Sequence, residues 1–181
     1  MMTDTPENAP GTAADGAAQG EQQAAQFAIL TQYVKDLSFE NPNAPASLKS
    51  GQGQPKIEVN IDIQGRKVAE DQFEVVLSVK SNAKNPEDDA LLFMVELAYA
   101  GVFHIKNVPD NMLKPVLLIE APRQLFPFAR RILADSSRDG GFPPLLLDPI
   151  DFVQLYRQRE AAEQQAKAQQ AATNGGVEGT A

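Results

Sequence analysis

The side chains able to do covalent chemistry in this 181-residue chain are few and poorly placed for it. The only histidine, His104, has no Cys, His or carboxylate at ligand spacing, so nothing marks it as a metal ligand. Cysteine is absent, which excludes disulfides and thiolate metal sites. Gly51-Gln52-Gly53 is followed by no Lys-Ser/Thr pair and is not a phosphate loop. Glu87-Asp88-Asp89 is an acidic turn without the Gly and further ligands of a calcium loop. Glu58 and Asp62 would need a pocket joining them to a substrate, and their spacing suggests none. What remains is non-covalent chemistry. Leu125-Phe126-Pro127-Phe128-Ala129-Arg130-Arg131 and Gly141-Phe142-Pro143-Pro144-Leu145-Leu146-Leu147 concentrate large apolar side chains, which suits binding and assembly rather than bond-making.

The elements that must carry these residues are legible from periodicity. Order is predicted to begin near Gln26. In an extended strand alternate side chains face opposite ways. Phe27, Ile29, Thr31, Tyr33, Lys35, Leu37 and Phe39 then share one face, and Val34, Asp36, Ser38 and Glu40 the other. Asn41-Pro42-Asn43-Ala44-Pro45 ends that strand. Ile57 to Ile63 alternates as a half-buried strand, with Gln64-Gly65 marking its end. Phe73, Val75, Leu77 and Val79 make a further face, and Ser81 to Asp89 reads as a polar turn. Leu91, Phe93, Val95, Leu97 and Tyr99 make another, with Met94 and Glu96 pointing away and a bend expected near Gly101.

Helical patterning follows the strands. Met112 to Ile119 is a short candidate with a break at Pro115. Arg123 to Arg138 is longer, with Pro127 expected in or near its first turn, and Gly140-Gly141 closes it. Phe142 to Leu147 is an apolar extended linker. A last helix starts at Asp151, with Gln154 completing a cap and Ile150 and Leu155 placed as a staple. The chain is therefore α+β: a four-stranded antiparallel sheet followed by helices packed on one face.

Composition narrows the partners. The formal charge is −8, so a phosphate backbone is an improbable partner and a basic protein a better one. Residues 1–24 carry Asp4, Glu7, Asp15 and Glu21 with no Lys or Arg, and are expected to be a disordered acidic tail. Residues 25–157 are the expected domain, and 158–181 a helix end followed by a flexible tail. No signal peptide and no membrane-spanning run is evident, which reads as a cytoplasmic protein without membrane insertion.

Several blocks, in order, resemble the SecB family of export chaperones. They are Lys35-Asp36-Leu37-Ser38-Phe39-Glu40-Asn41-Pro42-Asn43-Ala44-Pro45, Phe73-Glu74-Val75-Val76-Leu77, Gly101-Val102-Phe103, Leu125 to Arg130, and Gly141 to Phe152. The similarity spans roughly residues 25–157. It implies a homotetramer, a dimer of dimers, without cofactors or ATPase activity. Such a protein holds unfolded secretory precursors and delivers them to SecA, the motor of the Sec translocon. The resemblance assigns SecA binding to Asp36, Glu40, Met94 and Glu96. It assigns an aromatic client groove to Phe93, Phe128 and Tyr156, with Phe39 and Phe103 as weaker candidates. Gly53 stands where many members carry Trp. Plainer readings stand beside these: Asp36 and Glu40 as solvated strand residues, Glu96 as the local partner of a Lys or Arg, and Phe93 and Phe128 as core. A dedicated single-client chaperone of the same fold is the alternative function.

Overall fold

The computed structural model describes residues 24–49 and 53–174, with side chains as far as residue 170. The expected acidic tail up to residue 23, Gly51-Gln52 and the end of the C-terminal tail lie outside the described residues. Four strands come first: β1 (Gln26–Glu40), β2 (Lys56–Ala69), β3 (Gln72–Lys84) and β4 (Leu91–Lys106). They form one antiparallel sheet in the order β1-β4-β3-β2. β2 and β3 turn on Glu70-Asp71, with Asp71 at φ 54°, a left-handed position that a short polar side chain tolerates. β1 and β2 lie on opposite edges, so the segment between them must cross the end of the sheet. Asn43 anchors it there, its side-chain amide donating to the Leu91 carbonyl at 2.9 Å.

Two strands run longer than alternation alone suggests. β2 continues through Gln64-Gly65 to Ala69, because Gly65 stays paired with Val75. A Cβ on Gly65 would sit 3.3 Å from that of Leu117, so the glycine admits a helix rather than ending the strand. β3 likewise runs through Ser81 to Lys84, since those residues are paired on both sides, with β2 and with β4. Asn82 and Lys84 lie on the open sheet face, whereas Ser81 faces the helices beside Val95 and is fully buried. β4 passes through Gly101 as one strand.

Strict alternation fails in β1. Its register against β4 shifts at Leu30 and again at Lys35. Each extra residue is a β-bulge, which reverses the facing of what precedes it. Phe39 and Leu37 stand opposite Val95 and Leu97, on the helix side. Val34, expected on the other face, lies opposite Tyr99 on that same helix side. Thr31 and Tyr33 pair with Val102 and Ala100 and take the open face with Asp36 and Glu40.

The helices cover one side of the sheet. α1 (Asp110–Pro115) passes at Pro115 into a π turn (Val116–Glu120) and then α2 (Ala121–Asp139). Because α2 begins at Ala121, Pro127 is inside the helix and not in its first turn. Pro127 and Arg123, the residue whose carbonyl it cannot serve, are both exposed, so the missing bond falls on the solvent side of the helix. α2 lies directly on the sheet: a Cβ on Gly101 would be 2.8 Å from Leu125 Cδ2. Val75, Leu77, Val95, Phe103, Leu125, Ala129, Leu133 and Phe152 form the fully buried centre. Phe142 to Asp151 runs extended to α3 (Phe152–Asn174). The expected cap is present, with the Gln154 amide donating to Asp151 Oδ1 at 3.0 Å. Ile150 and Leu155 both pack against the core. Arg159 and Lys114 tie α3 down beyond residue 157: Arg159 donates to the Ile63 carbonyl at 2.6 Å, and Lys114 pairs with Glu160 and Glu163.

Candidate functional site

The helix-side cleft backs onto three phenylalanines from three elements: Phe93 and Phe142 line it, and Phe39 stacks against both without lining it. Phe39 ends β1, Phe93 begins β4 and Phe142 opens the extended segment after α2. Ring centroids are 5.5 Å apart for Phe39–Phe93, 4.7 Å for Phe93–Phe142 and 6.4 Å for Phe39–Phe142. Beside this stack opens a cleft of about 450 Å³ whose lining includes Gly53, Pro55, Ile57, Phe93, Phe142 and Leu146. Gly53, with φ 28°, presents no side chain to it. A second depression continues along β2 between Ile57, Val59 and Ile61 on one side and Leu145 to Leu147 on the other. Ile57 and Val59 are more than 40 % exposed and Leu146 64 %, so the apolar strip is open to water rather than covered.

The remaining aromatic candidates separate. Phe128 is 45 % exposed on α2, its ring 6.3 Å from that of Tyr99. Tyr156 lines a cleft with Ile61, Ile63 and Leu118 further along the same β2 edge, where Ile61 is shared with the second depression, and it lies under the Lys114 ammonium. Phe103 is fully buried, stacked on Phe27 and packed under α2. It has no surface to offer, so its place among the groove residues is corrected. Phe93 is also nearly buried, and reaches the cleft only as part of its wall.

The opposite, open face of the sheet is flat and charged. Cross-strand rows place Glu40 beside Met94, Asn82 and Glu58, then Ser38 beside Glu96, Lys80 and Asn60, then Asp36 beside Ala98, Ser78 and Asp62. Asp36, Glu40, Met94 and Glu96 therefore share one surface. Glu96 is paired with Lys80. Among the described residues Asp36 and Glu40 have no ion-pair partner, and both are exposed.

At the far end of this face lies a cluster not anticipated from sequence. Glu74 is buried among Tyr33, Lys35 and Arg66. Arg66 Nε donates to its carboxylate at 2.5 Å, Lys35 Nζ reaches both oxygens at 3.1 Å, and the Tyr33 hydroxyl donates to Oε1. The Arg66 guanidinium, then the Tyr33 hydroxyl and Lys35, outweigh desolvation and hold the Glu74 carboxyl down at about 2. The same bond raises the Tyr33 phenol. A carboxyl depressed on folding stabilises fully above its unfolded value and loses that contribution as pH falls toward the folded value. Stability is therefore expected to fall between about pH 4.5 and about pH 2 through this group. Urea midpoints measured across that range should fall less steeply for Glu74→Gln than for the parent chain.

Fold and site together define a binding scaffold: an antiparallel sheet with an open apolar cleft on its helix side and a charged flat face on the other. The family model described as "Preprotein translocase subunit SecB" matches residues 20–163. The chain is 53 % identical over 174 residues to the "Protein-export protein SecB" of Maricaulis maris (strain MCS10), covering 96 % of this chain and 95 % of that one. It is 57 % identical over 143 residues to the protein of the same name from Rhodopseudomonas palustris (strain HaA2), covering 78 % and 89 %. Among solved structures it resembles the Mycobacterium tuberculosis Rv1957 SecB-like chaperone in complex with a ChAD peptide from the Rv1956 HigA1 antitoxin. That match has a TM-score of 0.58 at 17 % identity, covering 70 % of this chain and 91 % of the other. This chain belongs to the SecB family.

Proposed function

We propose that this chain is a protein-export chaperone that works without ATP, holding unfolded secretory precursors and passing them to SecA. Family membership supports the reading, and one structural observation carries it. Apolar side chains line a cleft and strip on the helix side that the described residues leave uncovered. Burying a client's apolar surface there returns ~25 cal/mol per Å², less the ~2–5 kcal/mol needed to order the segment. Each site is thus weak and tolerant of sequence. Repetition around a tetramer, a dimer of dimers, adds avidity along one client. The exposed apolar side chains of edge strand β1, Leu30, Val34 and Leu37 among them, are suited to such assembly. Phe39, Phe93, Phe128 and Tyr156 are the proposed client contacts, and Asp36, Glu40, Met94 and Glu96 the proposed SecA surface. A domain start near residue 25, a cytoplasmic location and the absence of enzymatic activity belong to the same proposal.

Phe128 supplies the test on the client side. Its ring is exposed and leans on Tyr99, so Phe128→Ser removes little of the core. Capture of an unfolded precursor, read as the delay in its refolding, is expected to weaken several-fold while the tetramer's mass in solution is unchanged. Equal capture by an intact tetramer removes Phe128 from the groove. A single-client role would show instead as capture of one precursor among several unrelated ones.

A further inference from the structure

We propose that Glu74 is a positioning residue for the acidic face, fixing the β1 register that turns Asp36 and Glu40 outward; this rests on the SecA-binding reading above. The juxtaposition is specific. Glu74 lies on β3, and β4 separates it from β1. Tyr33 and Lys35 reach it across β4, over the row that holds Ala100 and Val102. Ala100 is fully buried beneath them. Arg66, directly opposite Glu74 on β2, closes the cluster from the other side. One buried carboxylate thus joins three strands.

Its two β1 partners sit at the one-residue irregularity that matters. Val34 faces Tyr99 and Asp36 faces Ala98, leaving Lys35 as the unpaired extra residue. Tyr33 lies just before it. A one-residue slip exchanges the two faces of a strand. If the bulge at Lys35 were absorbed by a slip of the segment after it, Asp36 and Glu40 would turn toward the helices and Leu37 and Phe39 toward water. Two opposing restraints prevent this. Phe39 is held on the helix side by Phe93 and Phe142. Tyr33 and Lys35 are held on the open face by Glu74. The three-residue step from Tyr33 to Asp36 on one face exists only with the extra residue between them.

Glu74 makes no contact with Asp36 or Glu40, so an effect on partner binding must pass through β1. Glu74→Gln and Glu74→Asp separate position from charge. Amide hydrogen exchange on the intact assembly, followed over residues 30–37, reads the register directly. Titration with purified SecA reads the acidic face, and precursor refolding reads the cleft. For Glu74→Gln we expect at least tenfold faster exchange over residues 30–37 and about tenfold weaker SecA binding. Precursor holding should stay within twofold, and Glu74→Asp should recover part of both losses. Unchanged exchange in Glu74→Gln overturns the proposal. Faster exchange with full SecA affinity also overturns it, provided that charge reversal at Asp36 and Glu40 weakens SecA. If that reversal too leaves SecA affinity intact, the SecA-surface reading is what fails, and the inference built on it falls with it.

Discussion

Asp36→Lys combined with Glu40→Lys is expected to weaken SecA binding by at least about a hundredfold while client holding stays within about twofold. The two carboxylates are exposed, share the flat face and have no ion-pair partner among the described residues. Reversing them therefore breaks no ion pair among the described residues, and the fold should persist. Two unit charges about 4 Å apart interact with ~1 kcal/mol in water and ~4 kcal/mol near a protein surface. Reversal loses that attraction and adds repulsion of similar size, and each 1.4 kcal/mol is tenfold in affinity. Parent affinity should also drop as salt rises, whereas the weak binding left in the variant should respond little. Glu96 makes a useful contrast, because Lys80 already neutralises part of it and a reversal there also breaks an internal pair. Calorimetric titration of SecA, in parallel with a precursor-refolding assay, checks the expectation. Affinity within about threefold of the parent would remove Asp36 and Glu40 from the motor-binding surface.

What the sequence shows of the fold follows from what alternation can and cannot report. Side-chain period identified all four strands, the helical end of the chain and the cap at Asp151, because each depends on residues close in sequence. It also put Asp36 with Glu40 and Met94 with Glu96 on common faces, since no bulge interrupts either pair. It misplaced Val34, Thr31 and Tyr33, because two single-residue shifts in β1 are settled by pairing with β4. It ended β2 at Gly65 and β3 before Ser81 for a related reason: glycine and polar residues mark turns in isolation, yet here Gly65 makes room for Leu117, Ser81 is buried with partners on both sides, and only Asn82 and Lys84 lie on the open face. The Glu74 cluster stayed hidden because its four members come from three strands. Glu74's place opposite the Phe73 and Val75 face was the only local signal. Phe103, offered to the groove by resemblance alone, is fully buried here, because matching blocks of sequence do not report whether a helix covers a ring.

The aromatic wall of the cleft gives the other large expectation, and it turns on a glycine. Gly140 follows the last turn of α2 with φ −73°, a conformation alanine adopts without strain. Reducing the freedom of the unfolded chain would by itself make Gly140→Ala stabilising by about 0.4–1 kcal/mol. The structure reverses that sign. A Cβ there would lie 2.2 Å from Phe39 Cζ and 2.4 Å from Cε1, too close for any real contact. The ring cannot retreat freely, because Phe93 and Phe142 hold it. Overpacking costs ~1–3 kcal/mol and loss of a ring pair ~0.5–1.5 kcal/mol, so a net destabilisation of about 3 kcal/mol is expected in urea unfolding. Client holding should weaken as well, since the displaced ring belongs to the stack that walls the cleft. The cause is separable by a double-mutant cycle. In a Phe39→Ala background the methyl meets no ring, and the further cost of Gly140→Ala should drop below about 1 kcal/mol or change sign. A neutral or stabilising Gly140→Ala in the parent chain would mean that Phe39 does not stand against the end of α2, and with it would go the three-ring stack that the cleft backs onto.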